Sequence, residues 1–178
     1  LQRQLATLDA EKQAAVRAGE RWLLRLERYV MPAPVSPISI SAQAAYLITG
    51  GTGALGLAVA RHLAQRGAGQ IVLTSRTGGD RATQDAMREI GAGRCRVDMI
   101  RADLGAREDV ERLMADIEQL PGAKPLKGII FAAGTHFGAP IVRQTPESLR
   151  GVLAPKISGV WHLHRICVER GLKLDLFV

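Results

Sequence analysis

The sequence predicts an open α/β protein built on a doubly wound parallel sheet. Three observations carry that prediction. Apolar runs of strand length alternate with helix-length stretches from Ala45 onward. The first run stops at a cluster of four glycines, Gly50, Gly51, Gly53 and Gly56, and an alanine-rich apolar run follows. The 178 residues, 47% of them apolar, suffice for one domain with a core of its own. Strands and helices alternating at these lengths imply parallel pairing with helices on both faces.

The N-terminal stretch reads differently. Leu1, Leu5, Leu8 and Val16 fall at near-helical spacing among charges, which predicts an amphipathic helix over residues 1–18 ended by Gly19. Trp22 to Val30 mixes apolar and basic residues, an order that favours a strand without excluding a helix. Pro32, Pro34 and Pro37 stand among three serines between Met31 and Ser41. Prolines bias their neighbours to extended backbone and remove donors, so this segment reads as a linker. Residues 1–41 are expected to be the end of a preceding unit plus its linker.

Strand 45–49 leads into a helix over 54–66. Gln70 to Thr74 is a second strand, and Asp80 to Ile90 a helix closed by Gly91-Ala92-Gly93. Arg96 to Ile100 is a third strand. Glu108 to Leu120 is a helix with Val110, Leu113, Met114 and Ile117 on one face, stopped by Pro121-Gly122. Gly128 to Phe131 is a fourth strand. Thr145-Pro146 reads as an N-cap with proline at the first helical position, opening a helical pattern that runs to about Arg170 with a break near Pro155. Leu174 to Val178 begins a fifth strand. An apolar strand at the end of a chain leaves a sticky edge, so the sequence is expected to be a piece of a longer polypeptide, cut at both ends.

Composition narrows the function classes. No apolar run approaches the ~20 residues of a membrane span, and the N-terminus has no signal-peptide pattern. Cys95 and Cys167 lie far apart without a C-x-x-C, which predicts buried thiols and a reducing cytoplasm. The net charge of +7 comes from 24 basic and 17 acidic residues scattered among one another. With 4% aromatics there are too few rings for a base-stacking platform, so nucleic acid is not the expected partner. The arginine excess suits an anionic cofactor or an acidic protein partner.

Gly51, Gly53 and Gly56 fall on the G-x-G-x-x-G spacing of a dinucleotide fingerprint, with a strand before and a helix after. The first glycine is expected to permit the tight turn, the second to let backbone approach a pyrophosphate, and the third to let the helix pack on the strand. The helix N-terminus then offers unpaired N–H groups and a partial positive charge to phosphates. The candidate cofactor-binding residues here are Thr49, Gly50, Gly51, Thr52, Gly53, Ala54, Leu55 and Gly56. The plainer alternative is a glycine turn in an ordinary βα unit.

The second strand ends in Thr74-Ser75-Arg76-Thr77. An acid commonly sits there to accept bonds from the ribose hydroxyls of NAD. Here Arg76 can meet a 2′-phosphate with its planar charged fork, helped by the Ser75 and Thr77 hydroxyls, which favours NADPH over NADH. After the third strand, Asp103, followed by Leu104, either accepts from an adenine amino group or caps the next helix. Ala132, Ala133 and Gly134 end the fourth strand, where small residues let a cofactor pass close to backbone or simply pack.

T-G-G-T-G-A-L-G after one strand, S-R after the next, A-D-L after the third and A-A-G after the fourth resemble the short-chain dehydrogenase/reductase family. The stretch from Thr145 through Ala154-Pro155-Lys156-Ile157-Ser158-Gly159 to His164 is similar to the ketoreductase domains of modular type I polyketide synthases. The resemblance covers about residues 45–178. It implies a Rossmann-type doubly wound parallel sheet, incomplete at its C-terminus, with residues 42–178 as the N-terminal part of an NADPH-binding ketoreductase domain. It also implies NADPH-dependent reduction of a β-ketoacyl chain, carried on the phosphopantetheine of an acyl carrier protein, among other synthase domains of the same chain. In such reductases a tyrosine protonates the developing alkoxide, a serine holds the carbonyl, and a lysine lowers the tyrosine pKa and holds the ribose. Lys156 matches that lysine. The serine and tyrosine are expected beyond Val178, so the fragment alone should not reduce ketones.

Two departures stand out. Phe131 occupies a position where the family often has histidine. His136-Phe137-Gly138 replaces the Leu-Asp-Asp of one stereochemical class, which favours the opposite hydroxyl configuration. Alternatives are another short-chain reductase, or a non-reducing scaffold domain that keeps the fold. His162 and His164, two apart on a helix, make a poor metal pair.

Overall fold

Ala18 and Gly19 both adopt positive φ, 50° and 82°, and that turn decides the described part of the N-terminal unit. The computed structural model describes residues 13–29, 38–134 and 138–178. The chain divides into two compact units, Leu1–Pro37 and Ile38–Val178. In the first, β1 (Ala14–Arg17) and β2 (Glu20–Leu23) pair antiparallel, Arg17 opposite Glu20 and Ala14 opposite Leu23. Two positive-φ residues are what a two-residue hairpin turn with the strand twist requires. The helix expected over 1–18 is therefore corrected over 14–17, where a strand stands instead. The helical spacing of leucines stops at Leu8, and residues 1–12 lie outside the described residues. The strand expected over 22–30 is present only at Trp22 and Leu23, with residues 24–29 irregular. Val30 and linker residues 31–37 lie outside the described residues.

The second unit is built around β3 (Ala45–Thr49), all five residues of which are buried. The order that follows is α1 (Ala54–Gln65), β4 (Gln70–Ser75), α2 (Arg81–Ile90), β5 (Arg96–Arg101), α3 (Arg107–Gln119) and β6 (Leu126–Phe131). Then come α4 (Pro146–Leu153), a π-helical turn (Ala154–Gly159), α5 (Val160–Glu169) and β7 (Leu176–Phe177). The sheet order is β5-β4-β3-β6-β7, every pair parallel. The chain winds outward from β3 in one direction through β4 and β5, and in the other through β6 and β7. The strand order thus reverses between β3 and β6, and a crevice at the carboxyl ends of the strands is expected there.

Strand alternation feeds two cores. Tyr46, Ile48, Ile71 and Leu73 face α1 and α2, packing on Ala60, Leu63 and Ile90. Leu47, Val72 and Ile129 face the other way, onto Val110, Leu113, Met114 and Ile117 of α3 and Leu163 and Ile166 of α5. Cys95 and Cys167 are free, buried thiols, as the spacing predicts. Burial, with Asp98 adding to it, pushes the Cys95 thiol up to about 11. Among the described residues no helix is long and apolar enough to cross a membrane.

Local signals explain the helix ends. Asp80 caps α2, accepting from the Thr83 N–H at 2.8 Å and the Thr83 hydroxyl at 2.7 Å. Thr145 caps α4 in a reciprocal pair with Ser148, with Pro146 at the first helical position. The break expected near Pro155 takes the form of the π turn. Pro155 has no N–H to return to the carbonyl four residues back, and the widened turn absorbs the defect.

Leu47 is fully buried in the α3/α5 core. Leu47→Ala is expected to cost about 2–5 kcal/mol, read from the urea midpoint. The Asp80 carboxyl is held below its ordinary 3.8, first by the Thr83 N–H and then by the Thr83 hydroxyl. A carboxylate depressed in the folded state stabilises above its unfolded pKa and loses that contribution as pH falls through the folded one. The stability gap between wild type and Asp80→Ala should be full at neutral pH and close as acid titrates the cap. A gap that persists unchanged at pH 2 contradicts this origin.

Candidate functional site

β3 runs into Gly50, whose φ of +64° only glycine adopts readily. A Cβ on Gly50 would sit 2.7 Å from the Ala132 carbonyl oxygen and 2.8 Å from Ala133 Cα. The turn is thus pressed against the end of β6, which two further bonds fix. Ala132 N–H donates to the Thr49 carbonyl at 3.2 Å, and Ala133 N–H donates to Thr49 Oγ1 at 3.2 Å. Gly51 N–H donates to the Thr74 carbonyl at 3.1 Å, and a Cβ on Gly51 would strike Leu73 Cβ at 2.6 Å. Gly53 N–H closes the turn onto the Gly50 carbonyl at 3.0 Å. A Cβ on Gly56 would lie 2.5 Å from that same carbonyl oxygen, so the first turn of α1 rests directly on the loop.

This corrects the expected division of labour among the glycines. The tight turn belongs to Gly50, one residue before the G-x-G-x-x-G spacing. Gly51 and Gly56 are both close-packing positions. Gly53 meets only the Gly50 carbonyl, at 3.3 Å, and otherwise faces open space. Gly53 is also the N-cap of α1, and having no side chain it leaves the first helical N–H groups of Ala54, Leu55 and Gly56 uncapped.

A cleft of about 270 Å³ opens at the carboxyl ends of β3, β4, β5 and β6, close to the lower end of small-molecule pockets. It gathers Gly50, Thr52 and Gly53 from the turn, and Ser75, Arg76 and Thr77 from the end of β4. Asp103 and Leu104 come from the loop after β5, and Ala132, Ala133 and Gly134 from the end of β6. Thr49 is buried behind this wall with its hydroxyl spent on Ala133. Gly51, Ala54, Leu55 and Gly56 shape the turn and helix rather than the lining.

Three lining residues, Thr74, Ala102 and Pro155, escaped the sequence reading. Thr74 is 1% exposed, and its Oγ1 is the buried side-chain oxygen left without a partner among the described residues. An orphaned hydroxyl beside a cleft is what a bound polar group would complete. Its only signal in the sequence is a polar residue where the alternation of β4 calls for an apolar one.

Ser75 Oγ donates to the Gly78 carbonyl at 3.1 Å, which folds the loop bearing Arg76. Asp103 is not the N-cap of α3, a position taken by Ala106 with no side-chain capping bond. One Asp103 oxygen accepts from Gly105 N–H at 3.0 Å, and its own N–H donates to Asp109 at 3.0 Å. That N–H, chief among several causes, holds the Asp109 carboxyl below the usual range. The Leu104 carbonyl accepts from His162 Nδ1 at 3.1 Å, so that nitrogen carries the proton. A Cβ on Gly159 would meet Leu104 Cβ at 2.9 Å. The π turn is thereby pinned to the loop after β5. Lys156 rises from this turn toward Gly134, where an added Cβ would meet Lys156 Cε at 3.2 Å. His136 and Phe137, the residues bearing on stereochemistry, lie outside the described residues.

The arrangement fits a nicotinamide dinucleotide on this structure's own terms. A cradle that side chains would fill, uncapped helix N–H groups and an orphaned hydroxyl surround one cleft, with a cation at its rim. The family profile described as KR domain matches residues 44–178. Among curated proteins, a phenolphthiocerol/phthiocerol polyketide synthase component of Mycobacterium tuberculosis (strain ATCC 25618 / H37Rv) is 42% identical over 135 residues, covering 68% of this chain. Polyketide synthase GfsE of Streptomyces halstedii is 36% identical over 177 residues, covering 97% of this chain. The chain spans only 7% and 4% of those relatives. A solved structure described as A-type ketoreductases from a modular polyketide synthase superposes with a TM-score of 0.77 at 32% identity, over 98% of this chain and 36% of that one. A ketoreductase domain from the bacillaene assembly line gives 0.71 at 30% identity, over 87% of this chain and 36% of that one.

The glycine contacts predict a graded series. Gly50→Ala and Gly56→Ala meet backbone at 2.7 and 2.5 Å and should each destabilise by more than ~1 kcal/mol. Gly53→Ala should stay within about 1 kcal/mol of wild type. Thermal unfolding of the three variants checks the ranking, and equal losses at all three would contradict it.

Proposed function

The chain belongs to the KR domain family, the ketoreductase domains of polyketide synthases, and from that premise we propose that it binds NADPH for the reduction of a β-ketoacyl thioester. KR domains are oxidoreductases of the short-chain dehydrogenase/reductase type and use a nicotinamide cofactor. The curated relatives are large multidomain synthases, so the proposed partners are other synthase domains and an acyl carrier protein presenting the substrate.

The observation that carries the reading is one cleft lined by the Gly50 turn, Arg76 and Gly134, with Lys156 packed beside Gly134. The turn and the uncapped start of α1 suit a pyrophosphate. Arg76, with no acid in Ser75-Arg76-Thr77, suits a ribose 2′-phosphate. Asp103 and the Thr74 hydroxyl suit the polar edge of the adenosine half. Lys156 brings a positive charge to the β6 side of the cleft, where it favours the anionic form of a neighbouring hydroxyl and so eases proton delivery. When bound, the reduced nicotinamide supplies hydride to the carbonyl carbon, and the oxygen takes a proton to become the alcohol. The protein's work is to fix the geometry, exclude alternatives and steady the developing charge.

Arg76→Ala should weaken NADPH binding roughly 10- to 100-fold and leave NADH nearly unchanged, measured by nucleotide fluorescence titration. Equal losses for both would remove the phosphate contact. In the full-length protein, Lys156→Ala should lower kcat for a β-ketoacyl thioester by about 10²-fold or more, with a smaller change in KM. An unchanged kcat contradicts the role given to Lys156.

A further inference from the structure

Arg101 ends β5 and stands in register with Ser75 at the end of β4. Its stem runs along the loop after β4, with Cδ and Cγ 3.4 and 3.5 Å from where a Cβ on Gly78 would sit. Its Nε donates to the Arg76 carbonyl at 3.4 Å. A second guanidinium is thus anchored on the same loop that presents Arg76 to the cleft. The acids that flank these two segments in sequence are engaged elsewhere. Asp80 accepts from Thr83, Asp98 is held by Arg96 and Gln70, and Asp103 accepts from Gly105. None of the ion pairs among the described residues includes Arg76 or Arg101.

Two arginines held on one loop concentrate positive charge there, which an anion bound between them would neutralise. A phosphate monoester carries close to two negative charges at neutral pH and three acceptor oxygens, more than one guanidinium satisfies. Arg101 spends one N–H on the Arg76 carbonyl and keeps four donors. β5 is an edge strand, so nothing in the sheet covers that side. We infer that Arg101 is a second, specificity-determining cation for the 2′-phosphate, acting with Arg76 from the edge of the sheet. The inference rests on the NADPH reading.

The test uses the full chain with NADPH, NADH, 2′,5′-ADP and 5′-ADP as probes, and the variants Arg101→Met, Arg101→Lys and Arg76→Ala. Methionine keeps the stem against Gly78 and removes the charge. Arg101→Met should weaken NADPH and 2′,5′-ADP roughly 3- to 10-fold, leave NADH and 5′-ADP within about twofold, and flatten the salt dependence of NADPH binding. Arg101→Lys should fall between. Equal weakening of phosphorylated and unphosphorylated ligands would make Arg101 a loop support and overturn the inference. So would an unaffected Arg101→Met beside a selective loss in Arg76→Ala, which leaves the NADPH reading standing. Equal wild-type affinity for NADPH and NADH would overturn both.

Discussion

The described site depends on one backbone contact, the seating of Gly50 against the end of β6. A left-handed residue at the carboxyl end of a buried central strand turns the chain sharply enough for α1 to start directly above it. The same residue leaves no room for a Cβ because Ala132 and Ala133 fill the space. Gly56 then rests on the Gly50 carbonyl, which sets the start of α1 against the crevice where the strand order reverses. Thr49 locks the arrangement by holding both Ala132 and Ala133. Orientation of the helix N–H groups therefore follows from packing among glycine, alanine and threonine backbone, before any charged side chain is considered.

A second linkage ties the far wall to the lysine. Leu104 is buried, its carbonyl is held by His162, and Gly159 allows the π turn to close on it. Pro155 creates the wide turn, and the wide turn carries Lys156 toward Gly134. The loop after β5 and Lys156 are thus joined through a short chain of direct contacts. The ion pairs on the outside of α3 and α5, such as Arg107 with Glu111 and Glu169, brace the same two helices at the surface. Being exposed and screened, they add little beyond alignment.

The sheet was legible because burial of its strands on both faces leaves near-continuous apolar runs, and because glycine and proline mark the turns between them. Every strand and helix expected from residue 45 onward is present, with ends shifted by a residue or two. β6 starts two residues before the expected Gly128, because Leu126 stands in register with Ala45 and the Lys127 carbonyl accepts from Asp175 N–H at 2.7 Å. The N-terminal hairpin was misread because its pattern is short and mostly exposed, so turn geometry at Ala18-Gly19 outweighs spacing. At the candidate site, residue types pointed to the glycine turn and Arg76, which line the cleft, and to Lys156, which stands beside Gly134. What spacing could not convey was which glycine takes positive φ, that Asp103 serves Gly105 rather than a helix end, or that Thr74 is left without a partner. Those are matters of close approach between segments distant in sequence.

Backbone amide chemical shifts followed through a titration with NADPH test most directly whether the Gly50 turn and the ends of β4 and β5 form one dinucleotide cleft. The largest shifts should fall on Gly51 to Gly56, Ser75 to Thr77 and Asp103 to Gly105. Shifts that leave these amides unmoved while others saturate would contradict such a cleft.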